Sequence, residues 1–419
     1  MMSSDHRSLV IAMALAIVAC GGDARWAGTI TDSAGVTIVS NPEVGLWAAG
    51  TAWTFEEEVR IGAVDGPPEY QFGDLRTVTA DSRGRIYALD RQAQHIQVYS
   101  PDGTYKRTIG GRGGGPGELQ FAMYLLMGPG DTLLVPDGRN MRVNRYAPDG
   151  SSAGSFRLSF EGGRLLGFKA SASGLMAQHS RSSEYFGSPA TKTPMDVILL
   201  LACDGTVIDT MKTFPAGQMM FDGGARIYAP EPVWALTNDG QLIFGVNDRY
   251  RISFYADGHL QRVITKPFQR IAVGDREREA IFSILDQAYA GAGFSAEQRA
   301  VARSRIHFAE SFPAFRSIAF GPMGTTWVQH VQPISEISDE ELTGSRLAAY
   351  WAAMDRFAPT PTWDVFDSQG RFLGDVTLPP RFTAHVFRGD MIYGIWRDEL
   401  DVQYVVRLHI VTNPRASAM

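Results

Sequence analysis

Residues 61–72, IGAVDGPPEYQF, return as residues 109–121, IGGRGGGPGELQF, with one residue inserted in the second glycine run. The repeat period is about 48 residues, and four short apolar segments bounded by turn residues lie between the two copies. These segments are residues 75–80, 86–89, 95–100 and 105–109. Four short antiparallel strands in a repeat of this length are typical of one blade of a β-propeller.

The second strand of this unit, preceded by its turn, recurs five more times along the chain. The later copies begin LLV at Leu133, LMA at Leu175, LIF at Leu242, TWV at Thr326 and MIY at Met391. The chain therefore contains six blades, and the sixth lacks its fourth strand. Residues 53–61 form an unpaired outer strand before the first blade, so we expect them to complete the sixth blade and close the ring.

The predicted fold is all-β: a six-bladed β-propeller of four-stranded antiparallel blades, closed by an N-terminal strand and carrying helical insertions. Two stretches have apolar residues at helical spacing, at about 275–311 and 338–357. The run Ser295-Ala296-Glu297-Gln298 is a capping-box candidate for a second helix in the first insertion. The predicted segments are a lipoprotein signal peptide at 1–19, a linker with a small hairpin at 20–50, the propeller at 51–412 and a tail at 413–419.

The N-terminal segment has the features of a targeting sequence. Arg7 precedes an apolar run at residues 9–19, which is too short to span a bilayer, and the run ends in IVAC at Cys20. This pattern resembles a bacterial lipobox, and it predicts that Cys20 carries the lipid that anchors the protein to a membrane. An ordinary secretory signal with an incidental cysteine is the alternative. We expect a chain cut after Ser40 to fold nearly as well as the whole chain.

Composition excludes several classes of protein. The 419 residues are 44% hydrophobic and 20% charged, with a formal net charge of −6. This composition is that of a globular domain, and it lacks the cationic surface that nucleic-acid binding needs. Cys203 is the only cysteine besides Cys20, so a lipidated chain has no intrachain disulfide.

The first blade resembles an NHL repeat. The matching motifs are the GPGE loop at 115–118, the DSRG turn at 81–84, the IYALD strand at 86–90 and the HIQVY strand at 95–99, with His95 where the repeat prefers arginine. With the lipobox and the insertions, the chain resembles six-bladed propeller lipoproteins of environmental bacteria. The resemblance implies the fold and an envelope location, and it implies no particular chemistry.

Aligning the second strands places one set of polar residues around one rim of the ring. Asp90, Asp137, His179 and His330 share this register, and two carboxylates with two imidazoles could bind a divalent metal or perform acid–base chemistry. The alternative is structural, because aspartates at this position of NHL-like blades hydrogen-bond turn amides. Glu69 and Glu118 are predicted to accept hydrogen bonds from loop amides.

Other motifs do not identify a catalytic set. The glycine run at 113–115 is followed by no Gly-Lys-Ser/Thr and is predicted to be an interblade loop. The inner strands, such as LRTV at 75–78, lack the acidic ligands that hold calcium in gluconolactonase-like propellers. His179, His330 and His385 are the only candidates for a zinc set like that of peptidyl-hydroxyglycine lyase-like propellers.

Two functional hypotheses follow. The first is an envelope-anchored binding or scaffold module for a protein, peptide or glycan, held at the membrane by its lipid, in the outer membrane of a bacterial envelope. It has no cofactor and no nucleic-acid partner. The second is a metal-dependent hydrolase or lyase with its site at the channel mouth, using Asp90, Asp137, His179 and His330.

Overall fold

The computed structural model describes the chain in eight ranges, which are residues 26–47, 50–158, 164–171, 174–181, 194–217, 220–221, 224–336 and 360–411. Several predicted features lie outside these residues. They are the signal segment at 1–19, the lipid-attachment residue Cys20, the helical insertion at 338–357 and the tail at 413–419.

The described strands form six antiparallel blades, and three strands precede the first of them. These three are β1 (Thr29–Ser33), β2 (Val36–Ser40) and β3 (Thr54–Ile61). The first three blades follow in chain order. Their strands are β4 (Leu75–Ala80), β5 (Ile86–Asp90), β6 (His95–Tyr99) and β7 (Tyr105–Gly110) in blade 1, β8 (Leu126–Met127), β9 (Leu133–Asp137), β10 (Arg142–Tyr146) and β11 (Ser152–Arg157) in blade 2, and β12 (Arg164–Ala170), β13 (Met176–Arg181), β14 (Met195–Leu201) and β15 (Val207–Pro215) in blade 3.

The second half of the chain alternates blades with an inserted unit. Strands β16 (Met220–Phe221) and β17 (Gly224–Ile227) precede blade 4, and helices α1 (Asp275–Gly291) and α2 (Ala296–Ser304) with β22 (Ile306–Phe308) follow it. The remaining strands are β18 (Pro232–Leu236), β19 (Leu242–Val246), β20 (Arg251–Ala256) and β21 (His259–Thr265) in blade 4, β23 (Ser317–Phe320), β24 (Thr326–Gln329), β25 (Thr362–Phe366) and β26 (Phe372–Thr377) in blade 5, and β27 (Phe382–Arg388), β28 (Met391–Arg397) and β29 (Gln403–Val411) in blade 6.

The N-terminal strand closes the ring, which confirms the prediction. Strand β3 pairs antiparallel with β29, from Ile61 opposite Val405 to Thr54 opposite Val411. Blade 6 in turn contacts blade 1 through β27 and β4. Closure pairs the outer edge of the last blade with a strand from the other end of the chain, so the two ends hold each other in place.

The hairpin of β1 and β2 extends blade 4. Strand β2 pairs parallel with β21, and Val39 is completely buried. Asn41 then joins blades 4 and 5, because its amide nitrogen donates to the carbonyls of Thr265 and Gly370 at 3.2 and 3.0 Å. Residues 26–47 therefore pack along the ring. A chain cut after Ser40 would lose the strand pair that extends blade 4, so the structure gives no support to the expectation that it folds nearly as well as the whole chain.

Hydrophobic side chains form one cluster at each of the six junctions between blades. Fully buried members are Leu89 between blades 1 and 2, Val143 between 2 and 3, Ile198 between 3 and 4, Phe315 between 4 and 5, Trp327 between 5 and 6, and Ile86 between 6 and 1. Middle strands are covered on both faces, which explains why β5 and β9 are buried along their whole length. Burial of this apolar surface is the main force that holds the ring together.

A seventh cluster lies in the inserted unit, which we call the insertion subdomain (residues 220–229 and 271–312, as far as the structure describes them). Its helices begin where the sequence predicts, and the capping box of α2 is present: Ser295 Oγ accepts from the Gln298 amide, and Gln298 Oε1 accepts from the Ser295 amide. The predicted helix range of 275–311 is wrong at its end, because Ile306–Phe308 forms a strand parallel to β17. In a strand, Ile306 and Phe308 lie on the same face and both pack into the seventh cluster.

The two faces of the ring differ in their connections. Tight turns join first to second and third to fourth strands, as at residues 81–85 and 100–104, and they define the turn face. The connections from second to third strands and between blades define the loop face, and the insertion subdomain belongs to it. Among the described residues, no helix combines the length and hydropathy that a membrane span requires.

Candidate functional site

Both predicted rim aspartates lie at the loop face, where each is buried and bonded to main-chain amides. Asp90 ends β5 and accepts from the amides of Gly73 and Ala93 at 2.7 and 2.9 Å. Asp137 ends β9 and accepts from the amides of Gln120 and Phe121 at 2.8 and 3.0 Å. These bonds tie the loop that enters each blade to its second strand, so both carboxylates have a structural role.

The predicted loop-amide role of the two glutamates holds for one of them. Glu118 Oε2 accepts from the amide of Gly115 at 2.7 Å, which stabilises the glycine-rich loop. At the equivalent position, the main-chain carbonyl of Glu69 accepts from the hydroxyl of Tyr99 at 2.5 Å. The repeated loops are thus held by different atoms of the same residue type.

His179 forms an ion-pair cluster inside blade 3. Its Nε2 atom lies 3.0 Å from Asp196 Oδ2, and Arg181 Nε donates to Asp196 Oδ1 at 2.7 Å. Phe214 and Trp234 flank the imidazole with centroid distances of 5.6 and 6.1 Å. Burial alone raises the pKa of Asp196, but the hydrogen bond from His179 and the Arg181 guanidinium outweigh it and lower that pKa.

His330 belongs to a larger cluster at the junction of blades 4 and 5, which we call the Asp364 centre (Tyr250, Lys266, His330 and Asp364). Asp364 is fully buried in β25 and accepts from Lys266 Nζ at 2.9 Å and from the Tyr250 hydroxyl at 2.5 Å. His330 Nε2 lies 2.9 Å from Asp364 Oδ1. Burial alone raises the pKa of Asp364, but the His330 hydrogen bond and the Lys266 charge outweigh it, so that pKa is lowered.

The two histidines differ in their access to solvent. The His330 side chain is 39% exposed, whereas that of His179 is 14% exposed. A partly exposed imidazole oriented by a buried carboxylate is an arrangement that can accept or donate a proton. Tyr250 stays a hydrogen-bond donor, because burial and the Asp364 charge raise its pKa well above the usual value.

The four predicted rim residues are distributed over four blades, and each has its own local partners. Within the described ranges, no three His, Cys, Asp or Glu side chains are placed to hold a metal ion together. The carboxylate oxygens of Asp90 and Asp137 already accept amide hydrogen bonds, and Nε2 of each histidine already contacts an aspartate.

A second polar site lies in the central channel. The first strands of all six blades line a cavity of about 390 Å³. At the turn face it adjoins a second cavity of about 550 Å³, with Asn238, Phe320, Phe387 and Arg388 lining both. A volume of this size suits a small-molecule ligand.

Lys169, on β12, is one of the basic residues of this channel. Its Nζ atom donates to the main-chain carbonyl of Trp234 on the neighbouring inner strand, 2.5 Å away, and lies 5.1 Å from the centroid of the Trp234 ring. Burial, which disfavours the charged form, lowers the pKa of Lys169 to about 8. At neutral pH the ammonium is therefore still mostly protonated.

Arg76 and His385 share an unusual backbone feature. Each is the extra residue of a β-bulge in an inner strand, Arg76 between Leu75 and Thr77 of β4 and His385 between Ala384 and Val386 of β27. A bulge redirects the side chain of its extra residue. His385 lies in the middle of the protein, yet its side chain remains exposed because it lines the channel.

The charge of Arg76 reaches two channel-lining side chains. The pKa of His385 is lowered to about 4, first by the surrounding protein and then by the Arg76 guanidinium. Burial raises the pKa of Tyr124, and the same guanidinium opposes that rise. The sequence analysis considered His385 only as a candidate zinc ligand and the LRTV strand only as one that lacks calcium ligands, and it missed Lys169.

Comparisons with known proteins identify no family for this chain. No protein-family model matches it, and no curated protein matches it. Similar solved structures include a DUF4221-family member from Bacteroides vulgatus (10% identity, TM-score 0.49, covering 86% of this chain and 98% of that one), an exported protein from Bacteroides fragilis (12%, 0.47, 90% and 100%) and virginiamycin B lyase from Staphylococcus aureus (10%, 0.42, 86% and 100%). Identities this low transfer no activity.

Proposed function

We propose that this protein is an envelope-anchored binding module that holds a protein, peptide or glycan on its loop face. The observation that supports this proposal is the asymmetry between the two faces. The turn face carries tight turns, whereas the insertion subdomain and the connection at residues 330–361 both start and end on the loop face. Loops carried by a rigid scaffold are the usual place for binding residues.

Exposed apolar side chains on the insertion subdomain make the proposal testable. Phe294 is 41% exposed and Val301 is 54% exposed. The purified full-length protein should capture one specific partner from envelope extracts. The double variant Phe294→Ser and Val301→Asp should lose that partner, whereas Met323→Ser, which removes an apolar side chain that is 65% exposed on the turn face, should keep it. Equal capture by both variants would place the contact elsewhere and contradict the proposal.

The anchor is a separate part of the proposal, and it follows from the lipobox and from the resemblance to propeller lipoproteins. Cys20 would carry the lipid, and the propeller would stand at the surface of the outer membrane. Metabolic labelling with radioactive palmitate should label the wild type and not Cys20→Ser, and the variant should leave the membrane fraction. Equal labelling of both proteins would contradict lipidation at Cys20.

The Asp364 centre supports a second candidate, a hydrolase or lyase, whose site would lie at the junction of blades 4 and 5 instead of the predicted channel mouth, because none of its four residues lines the central cavity. This candidate rests on the partly exposed His330 imidazole, which is held by the buried Asp364 carboxylate. The metal-dependent form of this hypothesis uses Asp90, Asp137, His179 and His330. Elemental analysis of protein purified without chelator tests it, because bound metal should disappear in the double variant His179→Ala and His330→Ala. Substoichiometric metal that the double variant leaves unchanged would count against the metal-dependent form.

A further inference from the structure

The lysines of this chain are few, and each described one has a different environment. Lys106 is exposed on β7, Lys212 is half-buried on β15 and Lys266 is paired with a carboxylate. Lys169 alone among them lines the cavity of about 390 Å³ in the central channel. The sequence has one further lysine, Lys192, which lies outside the described residues.

No carboxylate neutralises the Lys169 ammonium. In the part of the chain that the structure describes, Lys169 takes part in no ion pair, and the residues that line its cavity include no aspartate or glutamate. Lys266 differs in this respect, because its Nζ atom lies 2.9 Å from Asp364 Oδ2. Burial without a counterion favours the neutral amine, which is the nucleophilic form. With its pKa lowered to about 8, Lys169 is about one-tenth neutral at pH 7.

Trp234, on the neighbouring inner strand β18, holds this amine in place. Lys169 Nζ donates to the main-chain carbonyl of Trp234 at 2.5 Å. The contact needs one N–H, which the neutral amine also has, so the nitrogen keeps this partner in both protonation states and the neutral form has a free lone pair. Phe168 beside Lys169 and Ala235 and Leu236 beside Trp234 also line the cavity. Their apolar side chains favour an uncharged amine over an ammonium.

We propose that the central channel captures a small carbonyl compound, and that the Lys169 amine forms a reversible Schiff base with it. The nitrogen adds to the carbonyl carbon, and the carbonyl oxygen takes up the two protons of the amine and leaves as water, so that a C=N bond replaces the C=O bond. Hydrolysis reverses the step and releases the ligand. This proposal goes beyond the loop-face function, since it concerns a different surface and a different ligand.

A second cavity gives the ligand a route to Lys169. The cavity of about 550 Å³ at the turn face shares Asn238, Phe320, Phe387 and Arg388 with the channel cavity. A small molecule can therefore enter from the turn face, whereas a polymer cannot follow it into a space of this size.

Reductive trapping on the purified full-length protein tests the proposal. Butanal is the probe, and sodium cyanoborohydride reduces its imine to a stable butylamine. Peptide mass spectrometry then gives the rate of modification of each lysine. At pH 7 we expect Lys169 to react about tenfold faster than Lys106, although Lys106 is the more exposed, because a solvent-exposed lysine is in general almost wholly protonated at this pH. Dextran aldehyde, a polymer, should modify Lys106 and leave Lys169 unmodified.

Variants assign the fast reaction to this residue. Lys169→Arg should lose it, whereas Lys106→Arg, the same substitution at an exposed position, should keep it. Circular dichroism confirms that each variant is folded. If Lys169→Arg does not fold, the rates at Lys169 and Lys106 in the wild type still decide between the outcomes.

Three outcomes would overturn the proposal. A rate at Lys169 no higher than that at Lys106 would mean that Lys169 serves only as a donor to the Trp234 carbonyl. Modification of Lys169 by dextran aldehyde as fast as by butanal would mean that the amine reacts from the surface and not in the cavity. Fast modification that persists in Lys169→Arg would assign the reaction to another amine.

Discussion

At the scale of single residues, the channel gives charged side chains an environment that surface residues lack. Lys169 and His385 are reached by water, yet protein surrounds them on several sides, and the charged form of each is disfavoured. Both pKa values are lowered, as expected for bases that are partly removed from bulk solvent. A ligand with a negative charge would reverse this effect.

His385 gives the first prediction. We expect its pKa, measured by NMR from the shift of the imidazole carbon-bound proton, to lie below 6.5, because of the surrounding protein and the charge of Arg76. The signal is assigned by its loss in His385→Gln. Arg76→Gln should raise the pKa, and a value of 6.5 or higher in the wild type would contradict the prediction.

The direction of the stability change follows from the same shift. The unfolded chain binds a proton at His385 at a higher pH than the folded chain does, so this residue favours unfolding as the pH falls from 6.5 towards 4. The free energy of unfolding of wild type should therefore fall more steeply over this window than that of His385→Gln. Parallel pH profiles for the two proteins would show that His385 does not contribute.

The Asp364 centre gives the second prediction. Asp364→Asn removes the charge that pairs with Lys266, leaving a nearly buried ammonium without a counterion. We expect the free energy of unfolding in urea to fall by about 3 kcal/mol. Asp375→Asn, on the exposed side of β26, is the control and should change stability by less than about 0.5 kcal/mol. If the free energy of unfolding fell no more in Asp364→Asn than in Asp375→Asn, the Asp364 centre would contribute little to folding.

At the scale of elements, side-chain amides connect neighbouring blades. Gln94 of blade 1 accepts from the Ala122 amide before blade 2, and Asn247 of blade 4 donates to the Phe315 carbonyl before blade 5. Gln403 of blade 6 bonds both main-chain groups of Leu75 in blade 1, at 2.7 Å to the amide and 3.2 Å to the carbonyl. All three amides are buried, so their partners have no access to water instead.

Gln403 gives the third prediction, because it connects the last blade to the first. Gln403→Leu keeps the volume and leaves the Leu75 amide and carbonyl unpaired, which should lower the free energy of unfolding by about 1–3 kcal/mol. Gln369→Leu, at an exposed turn position, is the matched control. Chemical denaturation measures both, and a loss in Gln403→Leu no larger than in the control would contradict the role of this bond.

At the scale of the whole molecule, the N-terminal segment packs along three blades in turn. Strand β2 extends blade 4, the amides of Leu46 and Trp47 donate to carbonyls of β26 in blade 5, and β3 completes blade 6. Trp47 and Trp53 also pack into the cluster between blades 5 and 6. This segment therefore contributes to more of the ring than its closing strand alone.

Two truncations give the fourth prediction. A chain that begins at Gly50 loses the hairpin and Asn41, and we expect it to melt cooperatively at a lower temperature than the full chain. A chain that begins at Gly62 also loses β3, which exposes the β29 edge and costs several kcal/mol out of a typical total of roughly 5–15. It should aggregate without a cooperative transition. Calorimetry compares the three proteins, and a cooperative transition of the Gly62 chain at the full-chain temperature would contradict the closure.

The strand plan of this protein could be predicted from its sequence because the plan is encoded locally. Each strand is a short apolar run bounded by turn residues, and the repeated loops at residues 61–72 and 109–121 set the period. Counting strands then left one missing at the end and one unpaired at the start, which is sufficient to predict the closure by β3.

The candidate sites depend on contacts that no local pattern records. Asp364 is bonded by Tyr250 and Lys266 of another blade, and Lys169 and His385 line one cavity only because six inner strands surround one axis. Arg76 and His385 stand on β-bulges, which shift the alternation of the strand by one residue and have no clear sequence signature. The sequence by itself therefore determined the blades and their closure, while the tertiary structure decided which side chains meet, because that depends on the angle between blades and on single-residue shifts in register.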